Sequence, residues 1–509
     1  MEFLPLYLQE MQRQVEEVAR KAGLDFFDTR FILVNTRTLN EVAAYGGFPS
    51  RYPHWRFGME YDRLSKSSRY GLSKIYELVI NNDPCYAYLL EGNNIIDQKM
   101  VMAHVLAHND FFKNNVFFRH TNRKMVDEMA NHAVKVQRLM DRVGIEKVEE
   151  FIDVCHSLDN LIDPLGQFIA RPPSTRKEYE QQRQRDNNDA NTSEVGAPKL
   201  PSYLREFVKK TETEKTSITD TMSLRREPLH PTRDVLGFLL QKAPLDDWQV
   251  TILEIIREEA YYFAPQIMTK IMNEGWATFW HTRLMTQHLL RDDEVVQYAT
   301  TTSGVTAQAP GRLNPYKMGV ELFRDIEQRW DRGMHGKEYE ECDDYEKKTS
   351  WDTGAREGLQ KVFEVRSFFN DVTFIDEFLT PEFVARRMMY TYDYNTAKNA
   401  YVISSREFQD IKKKLIFQLT NGGHPFIEVV DADFEDRGEL LLAHRHFGVD
   451  LDLRQASNTL ENLFRIWKKP VNIATRVQDR PTLLTFSEKK GHSTRQLSPE
   501  ESRNIWHEA

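Results

Sequence analysis

Residues 246 to 290, "DDWQVTILEIIREEAYYFAPQIMTKIMNEGWATFWHTRLMTQHLL", carry a nearly continuous helical pattern. A stretch of this kind commits much of the second half of the chain to packed helices. Pro265 interrupts it, and a proline inside a helix breaks or kinks it at the preceding residue. Two consecutive helices are therefore expected, about 246 to 263 and 265 to 290. Within the second, "MNEGWATFWH" sets Glu274 and His281 seven residues apart, almost two full turns, so they return to one face about 20° apart. Trp276 and Trp280, spaced i and i+4, read as core.

The first half is also largely helical. Leu6, Met11, Val15 and Val18 mark an opening helix over about 6 to 22. The segment "SKIYELVINNDPCYAYLLEG" reads as a hairpin, with β-branched and aromatic residues on both sides of Asn81-Asn82-Asp83-Pro84. From Asp97 the pattern turns helical again, through "DQKMVMAHVLAHNDFF" and "RKMVDEMANHAVKVQRLMDRVG", and stops at Gly144. Asn314-Pro315 caps and starts a further helix that ends near Trp330. After about residue 400 the order becomes αββαββ, that of a small α+β module. Residues 171–202 are poor in aliphatics and rich in Arg, Gln, Asn, Ser and Pro, as a mobile insertion would be.

The expected fold is mainly α: a large helical domain with a small β-hairpin, plus a small C-terminal α+β domain. The helical domain would comprise 1–170 and 203–398 around the 171–202 insertion, the module 399–489, and a frayed polar tail 490–509.

At 509 residues the chain can bury a large core, and a net charge of −9 from interspersed charges argues against nucleic acid or a polybasic membrane contact. Glu2 and the charges interleaved through the amino terminus do not make a secretory signal, and no apolar run is long enough to span a bilayer. Cys85, Cys155 and Cys342 are far apart and lack C-x-x-C spacing, which favours a reducing, cytoplasmic setting.

The chemistry-bearing pattern is "HVLAH". His104 and His108 at i and i+4 can converge on one divalent metal, and Asp97 lies on the same face. This is the spacing of the zincin motif H-E-x-x-H, but Val105 stands where that motif carries its general base. Glu274 is the candidate third ligand, because "MNEGWATFW" resembles the Asn-Glu-Gly-aromatic-Ala helix that supplies the carboxylate ligand of gluzincin aminopeptidases. That likeness implies a gluzincin-like arrangement with zinc as the first candidate metal. His281 can serve as a fourth ligand, a proton carrier or a hydrogen-bond donor. Glu258 and Glu259 are candidates for the missing base, and Arg312 in "APGRLNP" for holding a substrate carboxylate. Against this stands the plain reading, in which such pairs arise by chance among 15 histidines.

"WQVTILEIIREEAYYFAPQIMTKIMNEGWATFWH", "MAHVLAHNDFFKNN" and "LNPYKMGVELFRDIEQRWD" together resemble the SpoVR family, the stage V sporulation protein R proteins, over nearly the whole chain. The resemblance implies a cytoplasmic bacterial protein, linked in spore formers to the spore cortex, a peptidoglycan layer. Elsewhere it implies a role in stress physiology beside a serine kinase and a von Willebrand-type protein. It names a process and no reaction, and carries over no catalytic residues. Two functions are therefore expected to compete: a metal-dependent hydrolase using His104, His108 and Glu274 with His281 or Glu259 handling protons, and a non-catalytic regulatory or assembly protein.

Overall fold

The computed structural model describes residues 4–69, 77–169, 227–305, 314–395 and 399–506, so the 171–202 segment and Arg312 lie outside the described residues. Among the described residues the chain is mainly α, and it divides into two compact units. The first comprises Met1–Arg142 and Tyr262–Gly423, the second Val143–Tyr261 and His424–Ala509. No helix among the described residues is long and apolar enough to cross a membrane.

At the centre of the first unit is the helix Ile95–Asn114, buried on nearly every side. Asn94 starts it, its Oδ1 accepting the Asp97 amide at 2.8 Å while its Nδ2 donates to the Asp97 carboxylate at 3.1 Å. Asp97 thus serves the helix start. A helix buried all round must find partners for its polar residues. Asn109 does so by pairing with the backbone of Phe27 and the hydroxyl of Thr29. Asp110 accepts from the Asp25 amide at 2.8 Å, from Trp276 Nε1 at 2.9 Å and from Arg366 at 3.2 Å. Arg366 in turn lies over the Trp276 and Phe363 rings. Burial pushes the Asp110 carboxyl up to about 7, against the pull of Arg366.

A three-stranded sheet flanks this helix. Strand β1 (Thr29–Val34) runs parallel to β3 (Cys85–Leu90), and β2 (Leu78–Ile80) pairs antiparallel with β3, Leu78 opposite Tyr88. The hairpin stands where the sequence placed it. Strand β4 (Thr391–Asn395) and β5 (Ala400–Ser405) form a separate antiparallel pair.

The expected break at Pro265 falls elsewhere. Helix Asp247–Met268 runs through the proline, and the chain leaves helical geometry at Thr269, with φ −127° and ψ 19°. The Thr269 hydroxyl donates to the Pro265 carbonyl at 2.7 Å, meeting a terminal acceptor that has no amide partner. A new helix, Lys270–Leu284, starts at once. Its first amides are met by Asp371, which accepts from Ile271 at 2.8 Å and Met272 at 2.9 Å. A buried carboxylate at a helix N-terminus is favoured by the exposed amides and the helix dipole.

Helix Lys270–Leu284 packs against helix Pro315–Asp331 through two glycines. A Cβ built on Gly275 would stand 2.4 Å from the Gly319 Cα, and one on Gly319 would stand 2.2 Å from the Ile271 carbonyl oxygen. Only hydrogen fits at that crossing. Trp276 and Trp280 are both buried in this core, packed with Phe279, Phe323 and Phe363 as the sequence spacing predicts.

In the second unit, β6 (Ile427–Phe434), β7 (Glu439–His444), β8 (Val471–Val477), β9 (Arg480–Ser487) and β10 (Gly491–Gln496) form one sheet in the order β10-β9-β8-β7-β6. Strands β7 and β8 are parallel and joined by the helix Leu453–Trp467, as a parallel connection requires. The ββαββ order from β6 to β9 follows the expectation, but the helix expected to lead it, Phe408–Leu419, belongs to the first unit, and residues 490–506 are no frayed tail. Strand β10 pairs with β9, and helix Pro499–Trp506 seats Ile505 and Trp506 against Val430, Leu441, Ala474 and Leu483. Two apolar anchors spaced among polar residues were enough to order a segment whose composition looks solvated.

Gly275→Ala or Gly319→Ala must push the two helices apart, and each should cost about 1–3 kcal/mol or more of stability, read as a lowered thermal midpoint. Asp110→Asn leaves the Arg366 charge buried without its carboxylate. A loss on the order of 3–5 kcal/mol in denaturant unfolding is expected, against little change for a surface control such as Glu17→Gln.

Candidate metal centre

Four side chains from three stretches of the first unit converge. Helix Ile95–Asn114 supplies His104 and His108, helix Lys270–Leu284 supplies Glu274, and Glu77 stands immediately before β2. One potential ligand atom from each lies within 4.8 Å of all the others. His108 Nε2 is 3.5 Å from Glu274 Oε2, and His104 Nε2 is 3.8 Å from both Glu274 Oε2 and Glu77 Oε1. The 3.8 Å separations are too long for hydrogen bonds. They are close to the spacing of ligands around a shared ion, since bonds of about 2.1 Å at a tetrahedral angle put donor atoms about 3.4 Å apart. His104 Nε2 and Glu274 Oε2 are buried without a hydrogen-bond partner. Orphaned atoms of this kind cost about 1–3 kcal/mol each, and a cation between them would satisfy both.

A second layer holds these groups from behind. The Nδ1 of His108 meets Asn273 Oδ1 at 2.9 Å, and the Nδ1 of His104 meets the Nδ1 of His281 at 2.8 Å. Tyr316, in the first turn of helix Pro315–Asp331, donates its hydroxyl to Glu77 Oε1 at 3.1 Å. The Gly275–Gly319 crossing brings that turn close to Glu274.

The charges are strongly interdependent. Burial raises the Glu77 carboxyl above the usual carboxylate range, although His104 and the Tyr316 hydroxyl work the other way. Burial acts on Glu274 too, but the two histidines and Lys270 outweigh it and hold that carboxyl low. His104 is disfavoured as a cation by burial, yet its two carboxylate neighbours raise it. Burial, with the charge of His104, lowers His108 to about 4, and burial lowers His281 well below the ordinary range. Burial and the neighbouring carboxylates raise the Tyr316 phenol, which stays a donor. Neutral imidazoles beside a charged carboxylate are the states that bind a divalent cation.

The structure thus brings His104, His108 and Glu274 together, as their spacing and local sequence anticipated. His281 reaches the group only through His104. Glu258 and Glu259 lie on helix Asp247–Met268, within the second unit; Glu258 is exposed and Glu259 buried, and neither belongs to the group of four. Arg312 falls outside the described residues. Glu77, Asn273 and Tyr316 went unnoticed in the sequence. Asn273 adjoins Glu274 in the stretch already singled out, and Tyr316 adjoins the Asn314-Pro315 cap, but Glu77 is a single carboxylate before a short strand, with no periodic signal.

The family described as SpoVR like protein matches residues 4–424, and the SpoVR-like C-terminal domain matches residues 425–478. Among curated proteins, the uncharacterized protein YcgB of Escherichia coli (strain K12) is 30% identical over 505 residues, covering 94% of this chain and 92% of that one. No solved structure matches.

Burial of a neutral His108 has a definite pH signature. In metal-free protein its ring should titrate near 4, against about 6.5 in the unfolded chain. Between those values the unfolded state binds the proton and the folded state does not. The contribution of His108 to stability is therefore intact above about pH 6.5 and lost progressively as pH falls towards 4. Histidine NMR read against pH, with His108→Gln to assign the resonance, checks both the value and the direction.

Proposed function

The chain belongs to the SpoVR-like family, and from that premise we propose that it is a divalent-metal-dependent hydrolase of peptide or amide bonds, with a gluzincin-like ligand set. The observation that carries this reading is the convergence of His104, His108, Glu274 and Glu77, with two of their atoms buried and unpartnered. Two imidazoles and a carboxylate are the catalytic zinc set of thermolysin-like sites, which makes zinc the first metal to test. The family's link to a peptidoglycan layer makes cell-wall peptides the first substrate class.

Such an ion would be held by His104, His108 and Glu274, and would supply Lewis acidity and a lowered pKa for water at the site. The chain's own residues supply the rest. Val105, fully buried, stands where a zincin carries its general base, so that base must come from elsewhere. Glu77 brings a carboxylate to the cluster from another direction, at 3.8 Å from His104 Nε2. It is the base in this proposal, in place of Glu258 and Glu259: it accepts the proton of the attacking water and returns it to the leaving amine. Tyr316 fixes Glu77 through its 3.1 Å hydrogen bond, and its phenol can pass that donor to a carbonyl oxygen as charge develops there. His108 stays oriented by Asn273 throughout.

Metal analysis of protein purified without added metal tests the ligand set. Near-stoichiometric metal in the natural protein, absent from the His104→Ala, His108→Ala double variant, is expected; folded, metal-free natural protein would sink the proposal. Glu77→Gln should keep most of the metal while hydrolysis of peptidoglycan-derived peptides falls about 10²–10⁴-fold. Undiminished turnover in that variant would remove Glu77 as the base.

A further inference from the structure

The hydrogen bond between His104 and His281 joins two identical nitrogens, Nδ1 to Nδ1 at 2.8 Å. With both rings neutral, as cation binding requires, each carries a single proton and the pair has two arrangements. If His104 carries its proton on Nδ1 and donates it, its Nε2 presents a lone pair to the space shared with Glu77 and Glu274. If His281 is the donor, His104 must carry its proton on Nε2, and that nitrogen can no longer ligate. His108 has no such choice. Asn273 Oδ1 only accepts, so the 2.9 Å bond places the His108 proton on Nδ1 and leaves Nε2 free.

We propose that His281 is a positioning residue that holds His104 in its ligating tautomer, accepting the His104 Nδ1–H and carrying its own proton on Nε2. This rests on reading His104, His108 and Glu274 as cation ligands. Three features of the structure support it. His281 is buried and its ring centroid lies 5.0 Å from that of His104, so the pair is locked at close range. The far nitrogen, His281 Nε2, is buried with no hydrogen-bond partner, and the Ala277 carbonyl one turn back is a competing acceptor beside the His281 ring. A cation at His104 Nε2 demands that lone pair, which leaves the His104 proton on Nδ1 and His281 Nδ1 as its acceptor. Finally, helix Lys270–Leu284 carries Glu274 and His281 on one stripe, so a single helix supplies one ligand directly and supports another on the facing helix. Partners of this kind fix ligand orientation and tautomer in metal sites generally.

The test uses the full-length protein, with zinc affinity measured by competition with a chromophoric chelator. His281→Phe should weaken zinc binding about 10–100-fold. His281→Gln, whose amide oxygen can accept from His104 as Asn273 does from His108, should remain within a few-fold of the natural protein. Nitrogen-15 NMR of zinc-loaded natural protein should show His104 protonated on Nδ1 and His281 on Nε2, a signature that a merely space-filling His281 would not require. Natural protein that binds no zinc overturns the ligand reading and this inference with it. Zinc binding that His281→Phe leaves unchanged overturns this inference alone. Should that variant fail to fold, the spectrum of the natural protein decides, and a proton on His281 Nδ1 overturns the proposal.

Discussion

The contact between Gly275 and Gly319 sets the geometry of the first unit. Two helix backbones approach so closely there that neither position has room for a methyl group. Glu274 precedes the first glycine, and Tyr316 lies three residues before the second, on the adjoining turn. A crossing at ordinary helix separation, with side chains between, would hold these two residues several ångströms further apart. The aromatic packing of Trp276, Phe279 and Phe323 beside the crossing is then a consequence of the same approach.

Helix Ile95–Asn114 faces this pair and divides its polar residues between two tasks. Asn109 and Asp110 are fully satisfied, tying the helix to the start of β1, to Trp276 and to Arg366. On the same helix, His104 and His108 are held on their Nδ1 atoms by His281 and Asn273, while His104 Nε2 has no protein partner. The contrast within one buried helix is informative. A fold able to pair every atom of Asp110 has left His104 Nε2 and Glu274 Oε2 facing each other unpaired, the pattern expected where a ligand completes the arrangement.

Much of this was legible in the sequence, for reasons that differ by residue. His104 and His108 announce themselves because helical spacing converts position directly into a shared face. Glu274 was marked by its neighbours, and Trp276 and Trp280 by periodicity. Glu77 was not legible, since it is a lone carboxylate immediately before the hairpin strand β2, and the hairpin pattern does not encode which buried helix that end will face. The Pro265 break was misplaced because a proline removes one amide bond, whereas the chain turns where Thr269 and Asp371 can satisfy the atoms it frees. The C-terminal tail was misread from composition, which does not register two well-placed anchors, Ile505 and Trp506.

The restart of the helix at Lys270 has a consequence for how this site can tolerate change. In an unbroken helix, every residue inserted or deleted upstream rotates all that follows by about 100°. Here the angular phase of Glu274 is reset by the grip of Asp371 on the amides of Ile271 and Met272. Alterations in the length of the preceding helix can be absorbed in the non-helical step at Thr269. The carboxylate is indexed to the wall it faces and not to the chain that leads up to it.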